Sequence, residues 1–232
     1  ARANQYSDST HAVIVKFDQN GNQLFAKELT STNGYAYLIY DSDIAENGDY
    51  MLMGLYRYDP SPPNFFKYSI IRLDSNGNHK WTKIYDGFFP WKWGVMSSTR
   101  DNGAIVNMSG LIFKVDSLGD LVWAKNYSIY HDLAKPFETD SGYVFPRYII
   151  AALDRGGAVC IAHNGDIKWT TDSYLNFFPY NGIQRKNGNI LFTGTSPYPF
   201  NTNSIAFLEL DYKTGNMLKL SKPKNQGING IT

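Results

Sequence analysis

The chain has a single cysteine, Cys160, so it cannot close an internal disulfide. Its 22 basic and 21 acidic residues almost cancel, to a formal net charge of +1. No basic run or Lys/Arg-lined helix offers a footprint for nucleic acid or an anionic membrane. Long hydrophobic runs are missing too: YIIAAL from Tyr148 is among the longest, far too short to cross a bilayer. No segment sustains a helical period between caps. The four histidines, His11, His79, His131 and His163, lie scattered without the paired spacing of a metal site. There is no Gly-x-Ser-x-Gly elbow and no glycine-rich loop running into a helix that could hold phosphate. The expectation is therefore no metal, no cofactor and no recognisable catalytic constellation. The opening residues show no secretory leader, as is also true of a trimmed, mature product.

What the chain does have is a turn that recurs five times, in FDQNGNQLF, LDSNGNHKW, VDSLGDLVW, AHNGDIKW and LDYKTGNML. Its glycines, Gly21, Gly77, Gly119, Gly165 and Gly215, are separated by 56, 42, 46 and 50 residues. That period matches one four-stranded blade of a β-propeller. In the first three copies Asp18, Asp74 and Asp116 end an apolar run, where a carboxylate caps backbone amides two residues on and the glycine supplies positive φ. DQNGN and DSNGN lack the closing Glu of an EF-hand calcium loop, so these aspartates are read as turn residues.

Before the turn, Val15 and Phe17, Ile71 and Leu73, Phe113 and Val115, and Val159 and Ile161 share one strand face, with Lys16, Arg72, Lys114 and Cys160 on the other. Four residues after the glycine stand Phe25, Trp81, Trp123 and Trp169, one large ring per repeat to bury between neighbours. Lys27, Lys83 and Lys125 follow and read as protection of an outer edge strand. A second hairpin signal, in AENGDYMLMG, RDNGAIVNM, TDSGYVFPR and RKNGNILFTG, splits each repeat into four strands. In the second repeat these run about Tyr35 to Ile44, Tyr50 to Tyr58, Tyr68 to Leu73 and Lys80 to Tyr85.

The expected fold is all-β: a single domain over residues 1–232, a β-propeller of four-stranded antiparallel blades, five in number, with a part of a six- to eight-bladed propeller as the alternative. Residues 227–232 fall in a first-strand register and are expected to pair beside Val13 to Phe17, closing the ring.

RLDSNGNHKWTKIY and KVDSLGDLVWAKNY resemble the repeats of secreted and surface bacterial β-propellers with quinoprotein-like or WD40-like blades, over nearly the whole chain. The resemblance implies an extracellular or cell-surface bacterial setting and a binding or scaffold role. Asp211-Tyr-Lys-Thr-Gly215 is similar to the turn of pyrroloquinoline quinone proteins, but lacks the following Trp, and no cofactor is carried over.

The connections divide into two sets, one short and regular, the other long and aromatic: YDGFFPWKWG, NYSIYHDLAKPF and YLNFFPYNG between repeats, YDPSPPNFFKY and SPYPFNTN within them. Long loops on a rigid scaffold commonly carry function. Phe88-Phe89-Pro90-Trp91 recurs as Phe177-Phe178-Pro179-Tyr180. The candidate ligand-binding rings are Phe89, Trp91, Trp93, Tyr130, Phe178 and Tyr180, suited to stacking on a sugar or anchoring a protein; the competing reading has Phe88 and Phe177 plugging gaps between blades. The expected function is a noncatalytic binding or scaffold module for a glycan or cell-envelope protein, without nucleic acid or a membrane span. The alternative is a five-bladed glycoside hydrolase using carboxylates among Asp41, Asp43, Glu138 and Asp140.

Overall fold

The computed structural model describes residues 12–29, 37–57, 66–85, 94–108, 110–127, 134–149, 155–172, 177–196 and 204–221. All regular structure there is antiparallel β. The first sheet pairs β1 (Ala12–Phe17) with β2 (Gln23–Leu29). The second has the order β3 (Tyr37–Ile44), β4 (Tyr50–Arg57), β5 (Phe66–Leu73), β6 (His79–Tyr85). The third runs β7 (Gly94–Ser98), β8 (Ala104–Met108), β9 (Leu111–Val115), β10 (Leu121–Asn126). The fourth is β11 (Phe137–Thr139), β12 (Gly142–Ile149), β13 (Arg155–Ile161), β14 (Ile167–Asp172), and the fifth β15 (Phe178–Gln184), β16 (Ile190–Ser196), β17 (Ser204–Leu210), β18 (Met217–Ser221). The chain divides into two compact units, 1–108 with 114–122, and 109–113 with 123–232. Residues 227–232, expected to pair beside β1, lie outside the described residues.

Local chemistry sets the turns. Asp18, Asp74 and Asp116 each accept, at one carboxylate oxygen, the amides two and four residues on, at 2.8 or 2.9 Å. Gly21, Gly77, Gly119, Gly165 and Gly215 all have positive φ, as the hairpin demands. The second hairpin signal is also realised, with one twist in RDNGA. There Asn102, not Gly103, takes the left-handed conformation (φ 60°), while a Cβ on Gly103 would lie 2.1 Å from the Val115 carbonyl oxygen.

The repeat signature turns out to be an interlock between consecutive sheets. A Cβ on Gly77 would lie 2.8 Å from the Phe25 ring, one on Gly119 2.8 Å from Trp81, one on Gly165 3.1 Å from Trp123 and one on Gly215 2.5 Å from Trp169. Each aromatic thus lies against the turn glycine of the next sheet. The indoles add directed bonds, Trp81 Nε1 donating to Ser117 O (3.2 Å), Trp123 Nε1 to His163 O (2.7 Å) and Trp169 Nε1 to Tyr212 O (2.9 Å). The lysines, read from sequence as protection of an outer edge, each bond to the turn of the next sheet: Lys27 donates to Asn78 (2.6 Å), Lys83 to Asp120 (2.8 Å) and Lys125 to Asp166 (2.6 Å). The reason is reach, since the next turn brings an acceptor under each ammonium. The closing tyrosines complete the motif, Tyr85 OH donating to Gly119 O and Tyr127 OH to Gly165 O. Burial, followed by the charges of Asp120 and Asp116, pushes the Tyr85 phenol well up; burial and Asp166 push Tyr127 to about 12. Among the described tryptophans Trp169 is buried, its ring joining the core cluster of Val144, Cys160 and Phe192, whereas Trp81 and Trp123 are half-buried.

Candidate functional site

The strand position opposite the interlocking ring varies in chemistry, with Lys16 in the first sheet, Arg72 in the second, Lys114 in the third and Cys160 in the fourth. Arg72 is 2% exposed and donates to Asp49 Oδ2 (2.7 Å) and, through Nη1, to the carbonyls of Asn102 (2.6 Å) and Ser117 (2.8 Å). Burial pushes the Asp49 carboxyl up, but hydrogen bonds from Lys80, Arg72 and Asn47 outweigh it and hold it below the ordinary range. Lys114, also buried, reaches Asp101 at 2.8 Å and Val115 O at 2.7 Å. Cys160 fills the same slot with an apolar side chain inside the cluster of Val144, Trp169, Phe177 and Phe192. Burial pushes its thiol up to about 11, so it packs rather than reacts.

Of the carboxylates weighed for acid and base work, those of Asp41, Asp43 and Glu138 have partners within the fold. Asp41 Oδ2 accepts the amide of Met96 (2.8 Å) and Asp43 Oδ2 that of Ser98 (2.9 Å), while their second oxygens accept Ser42 N (2.8 Å) and Ile44 N (2.9 Å). They are struts from β3 to β7. Glu138 Oε1 lies 3.1 Å from His163 Nε2, whose ring meets Tyr143 edge-on at 5.1 Å, and the Asp140 amide donates to Gln184. No group of three or more potential metal ligands occurs among the described residues.

Among the candidate rings, Phe89, Trp91, Trp93 and Tyr130 lie outside the described residues. Phe178 and Tyr180 are described, and their environments differ. Phe178 is buried, with Phe177 beside it at 0% exposure, so Phe178 anchors β15 instead of presenting a face. Tyr180 is 59% exposed, its hydroxyl 3.1 Å from Thr195 Oγ1. The separation has a backbone cause. Pro179 pairs with Gly194 and Asn181 with Thr193, leaving Tyr180 as the extra residue of a bulge that turns its ring outward. A Cβ on Gly194 would stand 2.0 Å from the Phe178 carbonyl oxygen, so the bulge requires glycine opposite.

The same device occurs at Tyr40, which sequence reasoning missed. Ile39 pairs with Gly54 and Asp41 with Met53, and a Cβ on Gly54 would stand 2.3 Å from Leu38 O. Burial raises the Tyr40 phenol. The available signal was a Tyr followed by Asp or Asn, set at one fixed separation before a strand glycine, in YDSDI and YNGIQ alike.

No protein-family model and no curated protein matches the chain. Among solved structures it is similar to a protein of unknown function from Bacteroides caccae, with 12% identity and a TM-score of 0.53 over 93% of this chain and 74% of that one. It is also similar to a quinohemoprotein alcohol dehydrogenase from Pseudomonas putida, with 9% identity and a TM-score of 0.54 over 93% of this chain. The sheets are the blades of a β-propeller. This propeller chain spans about half the length of the dehydrogenase, 49%, and at such identities the likeness concerns fold alone.

Proposed function

We propose that this propeller is a noncatalytic binding or scaffold module of the bacterial cell exterior, presenting aromatic rings to a glycan or cell-envelope protein. The observation that carries this reading is Tyr180, a ring held out by a bulge on a strand whose neighbouring rings are buried. A rigid amphipathic side chain so placed loses little freedom on stacking. The loop rings Phe89, Trp91, Trp93 and Tyr130 belong to the same proposal. The engagement of Asp41 and Asp43 by backbone amides supports a binding role over hydrolysis, since a carboxylate spent on a strut is a poor proton carrier.

A screen of glycans and envelope proteins against the purified chain, repeated with Tyr180→Ala, tests the reading. The variant is expected to weaken the partner by about 1–2 kcal/mol with an unchanged melt. Full affinity in Tyr180→Ala removes this ring from the site. Glycan cleavage by the parent protein that is lost in Asp41→Asn or Asp43→Asn replaces the proposal with glycoside hydrolysis.

A further inference from the structure

Asn–Gly pairs recur along the chain because its hairpins use them, and in each the glycine nitrogen can attack the side-chain amide that precedes it. Within the turns that nitrogen is occupied. Gly21, Gly48, Gly77, Gly165 and Gly188 donate to the carbonyl that opens their own turn at 2.8–3.1 Å, and Gly103 donates to Asp101 Oδ1 at 3.0 Å.

Asn181-Gly182 differs, since it lies inside β15 and not in a turn. The Arg185 amide donates to Asn189 O, so alternation along the ladder turns the Gly182 amide away from β16. Its acceptor is Asn181 Oδ1 at 2.8 Å, which folds the side-chain amide over the nitrogen that can attack it. Asn181 Nδ2, the leaving group of such an attack, makes no hydrogen bond among the described residues. Packing fixes the glycine: a Cβ on Gly182 would lie 2.5 Å from the Phe137 ring and 2.6 Å from that of Phe192. The nitrogen is therefore left without a side chain to screen it.

We propose that Asn181 is a site of spontaneous deamidation, favoured by the fold over the Asn–Gly pairs of the turns. The Gly182 nitrogen gives up its proton to base and bonds to Asn181 Cγ; the Cγ–Nδ2 bond breaks, and Nδ2 takes up a proton and departs as ammonia. A cyclic succinimide results. Water then opens it at either carbonyl, with no change of oxidation state. Attack at Cγ leaves an aspartate, and attack at the main-chain carbonyl leaves an isoaspartate, whose backbone runs through one more methylene. The aspartate supplies the second carboxylate oxygen that Asp41, at the same position after its own bulge, uses on the Met96 amide. The isoaspartate lengthens β15 directly behind Tyr180. Ring closure is internal to two adjacent residues and needs no open face of the sheet; only the later hydrolysis needs water.

Peptide mapping by mass spectrometry of the whole chain, aged in mildly alkaline buffer, tests this. Asn181 should convert faster than Asn20, Asn47, Asn76, Asn164 and Asn187 by about five- to tenfold, the cost of first giving up a turn's hydrogen bond. Succinimide, aspartate and isoaspartate at this position all count as conversion. In urea, where the turns are lost, the rates should draw level. An Asn181 no faster than the turn sites in the folded chain, or a lead that persists undiminished in urea, would overturn the proposal.

Discussion

The same strand slot is solved in opposite ways in the second and fourth sheets. Arg72 enters with Asp49 and two backbone carbonyls, a charge network whose guanidinium and carboxylate are buried and whose carboxylate is shared with the more exposed Lys80. Cys160 enters with nothing polar, and the space is taken by Val144, Trp169 and Phe192. Opposing energetics underlie the two. An apolar slot gains from each methylene it buries, while a charged slot must first offset desolvation and is secure only while every partner is present. The repeat specifies the shape of the slot, then, and leaves its chemistry open.

The comparison breaks most sharply at Arg72. Arg72→Met should cost about 3–5 kcal/mol in urea melts, because Asp49 and two carbonyls lose a donor. Adding Asp49→Leu should recover part of that loss, and a double variant no better than the single would refute the account. The acid limb should follow. Asp49 titrates below its unfolded value when folded, so its contribution is complete above the unfolded value of about 4 and drains away as pH falls through the folded one. Arg72→Met should flatten that fall.

In the apolar counterpart, Trp169→Ala should also cost about 3–5 kcal/mol, and the half-buried Trp123 about half as much. Equal losses at the two sites would mean that the ring-on-glycine contact, rather than core burial, sets the energy. Cys160→Ser should cost about 1–3 kcal/mol by burying a hydroxyl among apolar side chains. Thiol reagents should reach Cys160 only as fast as the protein unfolds. The smallest effect is expected at Lys83→Ala, below about 1 kcal/mol, since Lys83 and Asp120 are 41% and 62% exposed.

The turns were legible because their chemistry is local: Asp74 and Gly77 are close in sequence and do their work within one hairpin. The four-strand division followed from the same short-range signals. The purpose of Lys83 was not legible, because its acceptor Asp120 lies 37 residues on and only a stacked sheet brings them together. Edge protection was the reading that a single strand allows. The different fates of Phe178 and Tyr180 were hidden for another reason. A bulge breaks the period of two on which strand reading depends, so residues two apart no longer share a face. Tyr40 escaped notice for the same cause.

The interlock also imposes an order of events on a growing polypeptide. Trp81 leaves the ribosome 36 residues before Ser117, and Trp169 leaves 43 residues before Tyr212. At about 5–20 residues per second, each ring waits roughly 2–9 s for its acceptor turn to be made. During that interval the newest hairpin has an unclasped indole and an unpaired outer edge. Synthesis speed between one tryptophan codon and the next turn thus sets how long the nascent chain stays vulnerable to chaperones, proteases and other nascent chains.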